Sequence, residues 1–190
     1  GNASRGAGAR NHALYAQNRT DRLGAHYYAD DVSVCRTIPD AETANHCGSS
    51  TGNKYSIAIE ICVNPESDFR KACDNAAELA AGLLWERGLT AASLRQHFNW
   101  NGKNCPATLR ASGWAAFAAS VQKKIEQREE RNTAEENAPD NTPADWAREA
   151  VEWAVEKKLL AGDSRGNLKL REALTREQMC VMMKRYAEMK

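Results

Sequence analysis

The sequence has no uninterrupted apolar run of about 18 residues, the length a helix needs to cross a bilayer, so no membrane-spanning helix and no membrane partner are predicted. It has no excess of one charge either: 26 Lys and Arg stand against 25 Asp and Glu, a net charge of +1. Such a balance offers no basic stripe, and nucleic acid is not an expected partner. The six cysteines form no CxxC pair. The chain is also long for a disulfide scaffold, so a reducing compartment is expected, with one or two cysteines doing chemistry. The opening GNASRGAGAR lacks the apolar stretch of a signal peptide, and none is predicted from it.

What the sequence does contain is enough apolar material for a real core. Its 190 residues are 42% hydrophobic and 27% charged, which fits one domain, or one with a small second unit. A helix is predicted over residues 11–18. Two short β-type segments, 25–28 and 32–38, joined through Asp30 and Asp31, read as a hairpin. Residues 47–53, CGSSTGN, read as a loop. The best strand is 55–62, where Ile57, Ile59 and Ile61 fall on one face and Ser56, Ala58, Glu60 and Cys62 on the other. Ala72, Ala76, Leu79 and Leu83 recur at helical spacing within 68–87, and Gly88 suits the stop. Residues 94–97 read as a short strand, 98–105 as a loop, and Pro106 as the start of a helix to about residue 128. Strands alternating with helices predict an α/β domain.

The composition then shifts. QREERNTAEENAPDN, 127–141, reads as a helix tail passing into a linker. Beyond it, Thr142 and Pro143 suit a helix start, and Trp146, Ala150, Trp153 and Ala154 make one apolar stripe. Thr175 and Gln178 have the spacing of a capping box ahead of a helix bearing Met179, Met182, Met183 and Tyr186. Trp146, Trp153, Leu159, Leu160, Leu168, Leu170, Met179 and Met183 are the expected core of this unit. About fifty residues with two helices are thin for independent stability, so docking or a homo-oligomer is expected.

Two features could carry chemistry. In QHFNWNGKNCP, His97 and Cys105 bracket a polar loop, with Lys103 two residues before the cysteine. Imidazole and thiolate are favoured zinc ligands, although a packed histidine and cysteine would look the same. Glu60, on the strand face away from the isoleucines, could take a proton from a water, or be a solvated edge carboxylate. His12, His26 and His46 read as hydrogen-bonded histidines rather than ligands, with His46 beside Cys47 the only one open to a metal role.

In order and spacing, GNASRGAGARNHALY, AHYYADD, SIAIEIC and QHFNWNGKNCP resemble the type-2 zinc-dependent N-acetylmuramoyl-L-alanine amidases, which include phage endolysins and relatives of the peptidoglycan recognition proteins. TPADWAREAVEWAVEKKLLAG followed by LTREQM resembles an S-layer-homology repeat. The resemblance implies an α/β fold with a mixed sheet flanked by helices, and a small all-α C-terminal unit. It divides the chain into an amidase domain, 1–126, a linker, 127–141, and the repeat-like unit, 142–190. It implies Zn²⁺ in a shallow groove, with His97 and Cys105 as two of three protein ligands. The first ligand would be a histidine on an opening strand that the family carries just ahead of the segment matching Gly1. Glu60 is then the general base and Lys103 the cation that steadies the oxyanion. His26 and Trp100 would contact the substrate, and the tyrosine some relatives carry before the hairpin histidine is here Ala25. The implied activity is hydrolysis of the amide between N-acetylmuramic acid and L-alanine in peptidoglycan, with a truncated, binding-only module as the alternative. A secondary cell-wall polymer is the implied partner of the C-terminal unit. The implied setting is a lysin held in the host cytoplasm until release and acting at the cell wall.

Overall fold

The computed structural model describes residues 3–17, 21, 23–136 and 138–189, and these divide into two units at Arg131 and Asn132. The first unit is an α/β layer built on three short strands. Strand β1 (Tyr27–Ala29) pairs antiparallel with β2 (Val34–Arg36) and parallel with β3 (Ile59–Ile61), so the sheet is mixed, in the order β2-β1-β3. The hairpin expected from Asp30 and Asp31 forms. The buried Asp30 carboxylate accepts from the backbone N–H of Val32 at 2.9 Å, of Ser33 at 2.7 Å and of Ala9 at 2.7 Å. The last bond ties helix α1 (Ala9–Gln17) to the turn. These N–H groups outweigh the burial that opposes ionisation and hold the carboxyl below its ordinary range.

Helix α3 (Phe69–Trp85) starts where Asp68 accepts from the N–H of Arg70 and Lys71, as an N-cap should. Its buried face is alanine: Ala72, Ala76, Ala77, Ala80 and Ala81. Side chains this small let the helix lie close to the sheet, and the remaining volume is filled by Val121 and Ile125, with Ile59, Leu84 and Phe117 around them. On its outer side, Lys124 bridges Asp74 at 3.3 Å and Glu78 at 3.2 Å, and Arg128 reaches the same Glu78.

Several elements differ from the sequence reading. Residues 50–55, expected as loop and strand start, form helix α2 (Ser50–Tyr55), capped by Ser49. Residues 94–97 make no strand; a 3₁₀ turn (Ala91–Ser93) precedes them. One helical turn, α4 (Phe98–Asn101), occupies the expected loop. The helix after Pro106 is two, α5 (Ala107–Ser112) and α6 (Trp114–Glu136), separated at Gly113. The segment expected as a linker is helical as far as Glu136, since its Glu, Gln, Arg and Ala are all good helix formers.

The second unit holds α7 (Arg148–Glu156) and α8 (Arg176–Glu188). The predicted capping box is present: the Gln178 N–H donates to Thr175 Oγ1 at 3.1 Å and the Thr175 N–H to Gln178 Oε1 at 2.8 Å. The predicted core is not. Leu159 is buried, whereas Trp146 is 91% exposed and Trp153, Met179 and Met183 are also exposed. Two short helices cannot enclose this much apolar surface. The unit is held instead by polar ties, with the Asp140 N–H donating to Asn167 Oδ1 at 2.8 Å and the Leu168 N–H to Asn141 Oδ1 at 2.6 Å.

Candidate active site

A groove of about 1230 Å³ opens in the first unit, and His12, His46, Glu60, His97, Lys103 and Cys105 all line it. They arrive on four pieces of the fold: His12 on α1, His46 just ahead of α2, Glu60 on β3, and His97, Lys103 and Cys105 together on the loop around α4. Glu60 sits at the centre of β3, in register with Tyr28 of β1, so the two side chains leave the same face of the sheet. The His12 ring, on α1, stacks on Tyr28 with centroids 4.5 Å apart and planes 9° from parallel. His97 and Cys105 stand at the two ends of the α4 loop, which closes through the Phe98 N–H donating to the Cys105 carbonyl at 3.1 Å.

That loop is held down by two asparagines. Asn53, on α2, accepts at Oδ1 from the N–H of His46 and of Cys47, both at 3.0 Å, and from the Cys47 thiol at 3.2 Å. This turns the Cys47 carbonyl toward α4, where Asn101 Nδ2 donates to it at 2.9 Å. The same Nδ2 lies 3.1 Å from His97 Nε2, and Asn101 Oδ1 accepts from the Lys103 N–H at 3.0 Å. The close fit explains two glycines. A Cβ on Gly52 would stand 2.4 Å from Cys47 Sγ and 2.8 Å from the Trp100 ring; one on Gly48, whose φ is +66°, would stand 2.8 Å from Asn101 Nδ2.

The electrostatics keep the histidines neutral. Burial lowers the pKa of His97, helped by the Lys103 ammonium and opposed by Glu60 and the Cys47 carbonyl. Burial likewise lowers His46 and His12. By contrast Cys62, fully buried two residues beyond Glu60, is pushed up to about 12 by burial and is an inert thiol.

The sequence reading therefore meets the structure unevenly. Glu60, Lys103, His97 and Cys105 converge on one groove. His26 does not join them as a substrate contact. It is 0% exposed, its Nε2 lies 2.9 Å from the Glu42 carbonyl and its Nδ1 accepts from the Ala58 N–H at 3.0 Å. With both nitrogens engaged inside the fold, it fastens β1 to the start of β3 and has nothing left for a ligand. Trp100 does line the groove, but its ring packs on α2 at Gly52. His46, left open to a metal role in the sequence, and His12, read there only as a hydrogen-bonded histidine, both lie on the groove. Asn101 was passed over, although its four-residue spacing from His97 places both on one side of a helical turn.

The donors test unevenly against zinc. An imidazole and a thiolate are the types zinc prefers, and His97 and Cys105 supply one of each. Among the described residues, however, no three His, Cys, Asp or Glu side chains come together closely enough to hold a metal ion.

Comparison with known proteins agrees with this geometry. Residues 1–108 match the family described as N-acetylmuramoyl-L-alanine amidase, and residues 140–180 match the S-layer homology domain. The amidases XlyA and CwlH of Bacillus subtilis (strain 168) are 36% and 35% identical over 122 and 123 residues, in each case 63% of this chain. The matched segments make up 41% and 49% of those relatives, so the chain spans half their length or less. Among solved structures, a mutant endolysin from Bacillus subtilis superposes with a TM-score of 0.60 at 36% identity, covering 63% of this chain and 79% of that one. The structure of PlyL gives 0.56 at 30% identity, covering 61% and 76%. With the family match covering more than half of its length, and with Glu60, His97, Lys103 and Cys105 on one groove, the chain belongs to the N-acetylmuramoyl-L-alanine amidase family.

Proposed function

We propose that this groove hydrolyses the amide between the lactyl group of N-acetylmuramic acid and L-alanine in peptidoglycan. The observation that carries the reading is the convergence of Glu60, Lys103, His97 and Cys105 on one open groove in a chain of this family. Glu60 takes a proton from the attacking water and returns it to the leaving amine. The Lys103 ammonium stabilises the negative charge that develops on the carbonyl oxygen. His97 and Cys105 would supply two of the donors to zinc, and a bound zinc would polarise the scissile carbonyl as a Lewis acid. The groove wall at Trp100 and His46 flanks the sugar and the stem peptide. The test is to incubate the chain with purified peptidoglycan, with and without added zinc, and to follow newly freed L-alanine amino groups. Their appearance only with zinc supports the reading; release of reducing sugar ends instead would mean a glycosidase and overturn it.

A second reading, recognition of peptidoglycan without cleavage, is favoured by the donors, since no three His, Cys, Asp or Glu of the described residues come together to hold a metal ion. Sedimentation with purified walls in the absence of any freed amine selects it. In either case the C-terminal unit would anchor the protein at the cell wall by binding a secondary wall polymer, with Arg176, exposed at the start of α8, as the anion contact. No helix of the described residues is long and apolar enough to cross a membrane. The setting that fits is a lysin made in the host cytoplasm and released to the wall.

A further inference from the structure

Strand β3 stands at the end of the sheet order β2-β1-β3, and among the described residues only its β1 side is paired. In that parallel ladder the Tyr27 N–H donates to the Ala58 carbonyl at 3.0 Å, and the Cys62 N–H donates to the Ala29 carbonyl at 2.8 Å. Successive residues of a strand turn their backbone groups to opposite edges. Ala58, Glu60 and Cys62 therefore serve β1, and the N–H and C=O of Ile59 and Ile61 point the other way. No backbone bond to these groups of Ile59 and Ile61 is made among the described residues.

The groove runs along this unpaired edge. Ile57, Ala58, Ile59, Glu60, Ile61 and Val63 all line it. Odd and even side chains leave opposite faces of a strand, so a cavity that touches both sets lies beside the strand and not over one face. Leu84 of α3, Leu94, and Trp114 and Phe117 of α6 give it an apolar wall. Ile57, Ile59 and Ile61 are only half-buried, although a strand in parallel pairing is ordinarily covered on both faces.

We propose that the unpaired edge of β3 takes a further strand, an extended segment of a partner polypeptide with an apolar residue at every second position. Its backbone bonds to the N–H and C=O of Ile59 and Ile61, and its apolar side chains pack beside Ile59 against Leu84 and Phe117. Main-chain bonds supply the affinity and the alternation supplies the selectivity. Laid along residues 57–63, such a segment is about 20 Å long. A second copy of this chain does not fit, because its own β3 edge lies in the same groove between α3 and α6, and two recessed edges cannot meet. The inference does not rest on the proposed hydrolysis, and its test reads binding alone.

The probe is a capped peptide, Lys-Val-Thr-Val-Thr-Val-Thr-Lys, added to the ¹⁵N-labelled full chain. At about 1 mM peptide, the amide protons of Ile59 and Ile61 should exchange with solvent about tenfold more slowly or slower still. The melting temperature should rise with peptide concentration. Two further peptides carry N-methyl groups, one on every valine and the other on every threonine. The one methylated along the pairing edge should lose binding, and the one methylated along the outer edge should keep it. Equal behaviour of these two peptides would overturn the proposal, as would unchanged exchange at Ile59 and Ile61, or equal protection by a peptide of the same composition with its valines grouped together. Slowed exchange at both amides with a muramoyl peptide, but not with the alternating peptide, would assign the edge to the wall substrate and overturn it as well.

Discussion

At the scale of single residues, Glu60 and Lys103 are separable from the groups that build the groove. Glu60→Gln conserves shape and removes the base, so turnover on peptidoglycan should fall about 10²–10⁴-fold while the melting temperature stays put. Lys103→Ala removes the cation but leaves the backbone N–H that Asn101 binds, and should lower turnover about 10²–10³-fold. A Glu60→Gln protein that cleaves walls at the parental rate would make Glu60 a bystander. That these two residues share a groove with His97 and Cys105 was expected from the resemblance carried by SIAIEIC and QHFNWNGKNCP; their residue types alone left a solvated Glu60 and a packed His97 and Cys105 open. The real work of His26 was not legible, because a histidine in a strand gives no sign that both its nitrogens will be met by backbone groups sixteen and thirty-two residues away.

At the scale of elements, helix α2 depends on a missing side chain. Gly52→Ala would press a methyl group onto Cys47 Sγ and the Trp100 ring. Overpacking of this kind costs about 1–3 kcal/mol, and denaturant titration should show that loss together with weakened groove function; a variant as stable as the parent would mean that the α2–α4 contact is loose. The same contact explains why α2 was read as a loop. Serine, threonine, glycine and asparagine speak for a turn locally, and only the Ser49 cap and the packing of Trp100 make them a helix. Helix α3 was legible because Ala72, Ala76, Leu79 and Leu83 recur at helical spacing and Asp68 announces its start. The strand expected at 94–97 was not found: LRQH has a single apolar residue, and no strand of the described sheet lies beside it to pair with.

The histidines give the elements a common sensitivity to acid. His12, His26 and His46 each have a folded-state pKa held below 6.5, chiefly by burial. Above pH 6.5 neither state takes the proton and their contribution is fully present. Below it the unfolded chain binds protons that the folded chain refuses, so stability falls as pH drops through 6.5 toward the folded values. The melting temperature should therefore decline between about pH 7.5 and about pH 5.5, and His26→Gln should flatten that slope. A midpoint independent of pH across this window would contradict it.

At the scale of the whole molecule, the two units differ in kind. Residues 1–131 enclose a core of alanines, Val121 and Ile125, whereas the second unit leaves Trp146, Met179, Met183 and Tyr186 in solvent. Apolar surface of that order on a small unit favours association. The fragment 132–190, which keeps Asp140 and Asn141, should sediment with purified walls, and Arg176→Ala should weaken this without loss of helix, since Thr175 and Gln178 keep the cap. Analytical ultracentrifugation of the same fragment should show a mass that rises with concentration. A monomer that remains in the supernatant would reduce the unit to a spacer.

The α4 turn also contains a chemical clock. Asn101 is followed by Gly102, the pairing in which the next backbone nitrogen most readily attacks the side-chain amide and releases ammonia, leaving aspartate or isoaspartate. In the folded chain that nitrogen is occupied, donating its proton to the Phe98 carbonyl at 2.9 Å, and the amide itself is held at both ends. Native structure thus slows the reaction, and any excursion that opens the α4 loop starts it. Stored or heat-stressed protein should accumulate acidic species at this position first, and each such molecule carries a carboxylate beside His97 where the fresh protein carries an amide.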